Sequence, residues 1–185
     1  MEQLFSHGFV PYKLITKEMP LANHYFILQN DKKSLLAYFN KKSGLIKRID
    51  KISAHGIKPR NAEQVFAMDA VLNPEISLVT IQGVAGTGKT LIALAAALEQ
   101  KSNYVQIFLA RPIVALGNKD IGYLPGDIKS KINPYKEPLW DNLKFIQSQW
   151  KERDKEFHRI TDMVNSEKIV VTPLAYIRGR SFRRG

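Results

Sequence analysis

The chain contains no cysteine, which excludes disulfides, thiolate zinc sites and thiol catalysis. Its four histidines, His7, His24, His55 and His158, fall at no metal-ligand spacing, and none is read as a ligand. Long apolar runs are missing too. The longest, Leu91 to Leu98, is far short of the roughly 20 residues a helix needs to cross a bilayer. The start, Met1-Glu2-Gln3-Leu4-Phe5-Ser6-His7, has neither the basic nor the apolar stretch of a secretory leader. These absences fit a cytoplasmic protein with no membrane partner.

Basic residues outnumber acidic ones towards both ends. Residues 1–60 hold 11 Lys/Arg against 4 Asp/Glu, residues 61–150 hold 8 of each, and residues 151–185 hold 9 against 5. Basic flanks around a neutral middle suggest an anionic polymer, most simply RNA or another single-stranded nucleic acid. A generic solvated basic surface is the plain alternative.

The neutral middle carries the most informative stretch. Gly83-Val84-Ala85-Gly86-Thr87-Gly88-Lys89-Thr90 fits G-x-x-x-x-G-K-[ST], the phosphate-binding P-loop. Glycines let the backbone curl so that N–H groups point at phosphate oxygens, and a helix N-terminus adds its partial positive charge. Lys89 would reach the β- and γ-phosphates, and the Thr90 hydroxyl would sit on Mg²⁺. Ser77-Leu78-Val79-Thr80-Ile81 reads as a buried strand entering the loop, and Leu91 to about Glu99 as the helix leaving it.

The rest of the chain falls into a small β-rich segment, residues 1–55, and a longer α/β domain, residues 56–185. Strands are expected within Ala22–Gln29, Ser34–Phe39 and Leu45–Ile49, separated by polar turns. A helix is expected from Asn61, a good N-cap, to Leu72, stopped by Asn73-Pro74. Tyr104–Ala110 and Lys168–Thr172 read as further strands, with a long loop from Arg111 to Asp127 and a mostly helical stretch from Pro134 to about His158. The alternation predicts a P-loop fold: a parallel sheet with helices on both faces.

Several residues outside the octapeptide could carry chemistry. Gln64 could read adenine, since an amide offers a donor and an acceptor together. It is also the third residue after Asn61, where it could complete a capping box. Arg111 follows a strand at the carboxyl end of the sheet, where open α/β folds bind ligands. Arg178 and Arg180 form a basic pair suited to phosphate. Tyr123, Tyr135 and Trp140 lie in segments that combine aromatics, lysines and breakers and could stack on single-stranded nucleic acid, while Tyr135 and Trp140 could equally serve as core. After Thr90 there is no apolar strand ending in Asp-Glu of the kind that helps hold Mg²⁺; the late one ends in Val171-Thr172-Pro173.

Taken together, six segments resemble the PhoH family. They are Gly56 to Gln64, the P-loop, Arg111-Pro112, Leu124 to Asp127, Pro138 to Asp141, and Pro173 to Arg180. The resemblance covers roughly residues 56–182 in order, and looks most like the branch fused to a PIN ribonuclease domain. It implies ATP as ligand, an RNA-associated, helicase-like ATPase core, Gln64 as the adenine reader, and homo-oligomeric rings in which Arg111 or Arg178 acts across a boundary. The sequence shows no PIN domain before this region, so nuclease activity is not expected of it. The Asp-Glu strand that follows the Arg-Gly-Arg motif in the family is missing as well, and the simplest expectation is a C-terminally truncated chain in which ATP binding is firmer than hydrolysis. A non-hydrolysing nucleotide-binding module and a small-molecule kinase are the rival readings.

Overall fold

Alternation of side chains builds the first sheet. In a computed structural model that describes residues 2–30, 34–112, 128–177, 179 and 181, and the backbone alone of 2, 128–136 and 175, strand β3 (Ser34–Asn40) buries Leu35, Ala37 and Phe39 on one face. It pairs antiparallel with β2 (Tyr25–Gln29) and β4 (Leu45–Arg48), and β4 pairs with β1 (Phe9–Pro11), giving the order β1-β4-β3-β2. The β3–β4 turn closes where Asn40 accepts from the Ser43 and Gly44 N–H groups, and Gly44 takes the positive φ of 67° the turn requires. Val10 and Ile46 join the buried face, and helix α1 (Glu2–His7) lays Leu4 onto it. Each such side chain contributes about 2 kcal/mol by leaving water.

The opposite face carries the register pair Tyr25 and Tyr38. Helix α2 (Ala62–Leu72) meets it there. The Tyr25 hydroxyl donates to Asp69 Oδ2 at 2.9 Å, and its ring lies 4.9 Å from that of Phe66. Asn61 caps α2, its side chain accepting from the Gln64 N–H, and the helix ends at Asn73 before Pro74 as the sequence predicts.

The chain divides into two compact units. The first comprises Met1–Ala54 and Lys58–Ile92; the second comprises His55–Ile57 and Ala93–Gly185. Helix α3 (Lys89–Glu99) contributes residues to both.

In the second unit, β5 (Ile107–Arg111) and β6 (Ile169–Pro173) form a parallel pair, Ile107 opposite Ile169 and Arg111 opposite Pro173. Helix α4 (Ile128–Gln147) buries Leu139, Leu143 and Ile146 at helical spacing, and α5 (Lys155–Asn165) buries Ile160 and Met163. The stretch expected as one helix is thus two. Asp154, the residue before α5, turns its carboxylate back to accept from the Lys151 N–H at 2.9 Å, closing a turn between them. His55 is buried in this unit at a φ of 45°, its N–H donating to Glu99 at 2.6 Å and its ring edge-on to Trp150.

The expected sheet is corrected in one respect. Ser77–Ile81 forms no strand, and Leu78 within it is 84% exposed. A strand persists where a neighbour takes up its backbone N–H and C=O groups. Among the described residues none pairs with this segment. The arrangement is therefore mixed: an antiparallel sheet of four strands in one unit and a parallel pair in the other.

Candidate nucleotide site

The octapeptide leads directly into α3. Lys89 is the first helical residue, and the Ile92 N–H bonds back to the Gly88 carbonyl at 2.9 Å. The first N–H groups of a helix have no intrahelical acceptor, so the loop opens onto unpaired donors with a favourable dipole.

Two glycines shape the curve. Gly86 and Gly88 have φ values of 79° and 81°, in the left-handed region that side chains disfavour. A Cβ on Gly88 would sit 3.2 Å from Gln64 Nε2, and one on Gly83 would sit 3.3 Å from Thr87 Oγ1. Gly83 and Gly88 thus leave room for neighbours, and Gly86 supplies conformation alone.

Side chains brace the curve from within. The Thr87 hydroxyl donates to the Val84 carbonyl at 2.9 Å. Lys89 Nζ donates to the Gly83 and Val84 carbonyls at 2.8 and 2.7 Å, with Thr87 Oγ1 at 3.4 Å. The ammonium is therefore anchored on the loop it serves. Ala85 and Thr90 are exposed, the latter in the first turn of α3.

Gln64 enters the site by an unexpected route. Its Nε2 donates to the Thr87 carbonyl at 3.1 Å, and its Oε1 accepts from the Arg60 N–H at 2.8 Å. The amide ties the start of α2 to the loop. This is a reach across 23 residues. The capping contribution expected of Gln64 is present in altered form, with Arg60 rather than Asn61 as the backbone donor.

The arginines are less fully placed. Arg111 ends β5 with its side chain exposed. Arg178 and Arg180 lie outside the described residues, as do Tyr123 and the Leu124–Asp127 motif; of Tyr135 the backbone alone is described, and Trp140 is half-buried. Among the described residues no cluster of His, Asp and Glu could hold a metal ion, and no helix is long and apolar enough to cross a membrane.

Residues 56–185 match the family described as "PhoH-like protein". Over 192 residues the chain is 38% identical to Protein PhoH2 of Bacillus subtilis (strain 168), covering 97% of this chain and 42% of that protein. It belongs to the PhoH family. It is also similar to Protein PhoH2 of Thermobispora bispora, 32% identical over 184 residues, covering 98% of this chain and 40% of that protein. A PhoH-like protein of Synechocystis matches at 40% identity over 102 residues, 54% of this chain and 28% of that one. The chain thus spans about two fifths of the length of these two PhoH2 proteins. No solved structure matches it. Family membership and the P-loop together mark a nucleotide-binding protein.

Proposed function

We propose that the chain binds ATP with Mg²⁺ at Gly83–Thr90 and forms the nucleotide-binding part of an RNA-associated, helicase-like ATPase. The observation that carries this reading is the braced loop: glycines at positive φ, an anchored Lys89 and the N-terminus of α3 converge on one place. That donor set suits a polyphosphate, since backbone N–H groups and an ammonium recognise phosphate oxygens without regard to the rest of the ligand.

In this reading Gly83 to Gly88 cradle the phosphates and Lys89 offsets their charge. Thr90 supplies a hydroxyl to Mg²⁺, which when bound neutralises phosphate oxygens. Gln64 holds the loop through both ends of its amide, and adenine reading would draw on its second N–H. Arg111, Arg178 and Arg180 are cations for phosphate or for a neighbouring subunit in a homo-oligomer. The protein works in the cytoplasm, where ATP and RNA are both present.

Titration calorimetry tests the core of this. ATP with Mg²⁺ should bind the full chain, and Lys89→Ala should weaken it at least tenfold, since a hydrogen bond to a charged group contributes about 1.5–3 kcal/mol. Equal affinity in the two proteins overturns the assignment. Turnover that rises when RNA is added supports the motor reading; turnover indifferent to RNA counts against it.

A further inference from the structure

After β4 the chain leaves the sheet and runs irregularly before α2 begins. A groove of about 740 Å³ opens along this path, within the first unit. Its size falls within the roughly 300–1,000 Å³ of ordinary ligand sites. The walls are largely apolar, with Phe5, Ile49, Ile52 and Val65 among them. The charged groups at its rim differ in their commitments. Arg48 is engaged, donating to the Phe5 carbonyl at 2.6 Å and to Asp50 at 2.8 Å, so Asp50 is neutralised locally. Lys51 and Lys58 are exposed and make no ion pair among the described residues.

An apolar trough with two uncommitted ammonium groups selects a ligand with flat apolar faces and regularly placed negative charge. We propose that this groove seats a single-stranded nucleic acid, its bases against the apolar wall and its phosphates on Lys51 and Lys58. The inference rests on the RNA association proposed above and gives it a place. A duplex keeps its bases stacked inside, so the apolar wall would meet nothing; a single strand can splay a base onto it. Charge supports the same occupant, because residues 1–60 hold 11 Lys/Arg against 4 Asp/Glu.

The groove shares structure with the nucleotide site. Lys58, Pro59 and Val65 line it, and they flank the Arg60–Gln64 bond whose other end holds Thr87. A strand lying in the groove would therefore bear on the residues that hold the P-loop.

The test is binding of a short fluorescent oligouridylate to the full chain, read by anisotropy across a salt series. The variant is Lys51→Gln with Lys58→Gln; both positions are exposed, and circular dichroism with ATP affinity confirms an unchanged fold. The variant should bind on the order of tenfold more weakly, and the slope of log affinity against log salt should fall by about 1.4, two phosphates at roughly 0.7 each for a single strand. If the wild type binds the oligomer and the variant matches it in affinity and slope, the groove assignment fails while RNA association stands. If the wild type binds no oligomer, both fail. If polyglutamate displaces the oligomer at equal charge, the groove serves an acidic peptide and the nucleic-acid assignment is overturned.

Discussion

Gln64 and Thr87 are joined by a hydrogen bond of 3.1 Å from side-chain amide to main-chain carbonyl, and the same amide holds the Arg60 N–H at 2.8 Å. This amide ties the start of α2 to the P-loop. Gln64→Ala should weaken ATP binding about fivefold, the equivalent of one hydrogen bond near 1 kcal/mol. Calorimetry with ATP and GTP in parallel separates two roles. A larger loss for ATP assigns base reading to Gln64; an equal loss for both assigns it to holding the loop.

The two positive-φ glycines of the loop should respond unequally to alanine. Gly86 has open space around its missing Cβ, so Gly86→Ala meets the left-handed penalty of about 1–2 kcal/mol alone. Gly88→Ala meets that penalty and also presses on Gln64 Nε2. Gly88→Ala should bind nucleotide more weakly than Gly86→Ala in the same titration. The reverse order would show that the Gln64 contact gives way without consequence.

Tyr25 and Asp69 should behave as a coupled pair. Burial raises the Asp69 pKa, and the bond from Tyr25 opposes that rise. Burial, and then the nearby Asp69 carboxylate, hold the Tyr25 hydroxyl protonated well above its ordinary range. Tyr25→Phe leaves a half-buried carboxylate without its donor, so it should destabilise the fold by about 1–3 kcal/mol near neutral pH. The cost should shrink in acid, where Asp69 carries a proton and no charge is stranded. Urea denaturation at two pH values measures both; a pH-independent cost would contradict the pairing.

His55 supplies a pH dependence of stability. Burial first, and Lys101 second, lower its pKa below the ordinary 6.5, so the folded state favours the neutral ring. Glu99 and Glu156 oppose the shift and Arg159 adds to it. The sign follows from linkage. Above about 6.5 both states are neutral and this stability is fully present. As pH falls through 6.5 the unfolded chain takes up the proton first, and stability drops until the folded ring titrates as well. Denaturation midpoints should therefore fall between pH 7.5 and pH 5 by more in the wild type than in His55→Asn. Asparagine suits the test because it tolerates the positive φ at this position. Parallel curves for the two proteins would show that other groups govern the acid limb.

Much of this architecture is legible in the residues themselves, where the decisive chemistry is local. Asn61 and the Asn73-Pro74 pair bracket α2 because a cap and a breaker act on their nearest neighbours. The turn around Asn40 and Gly44 separates β3 from β4 for the same reason. What escapes is what depends on a distant partner. Ser77–Ile81 has the composition of a strand, yet a strand needs a neighbouring edge that its own residues cannot supply. Strand β1 is short and ends in Pro11, and it exists because β4, far along the chain, accepts it. Between α4 and α5 the chain turns through local backbone bonds, and the Asp154 carboxylate accepts from the Lys151 N–H instead of capping its own helix. The nucleotide site follows the same rule. The octapeptide is readable as a motif, whereas its tie to Gln64 appears once the fold brings α2 to the loop.

The anchoring of Lys89 on the Gly83 and Val84 carbonyls has a consequence for binding entropy. A free lysine side chain gives up about 1.5–2 kcal/mol of rotamer freedom when it is immobilised. Here that loss accompanies folding, because two short bonds already fix the ammonium. A phosphate reaching the loop meets a charge whose position is settled, and little of its binding energy goes into ordering the chain.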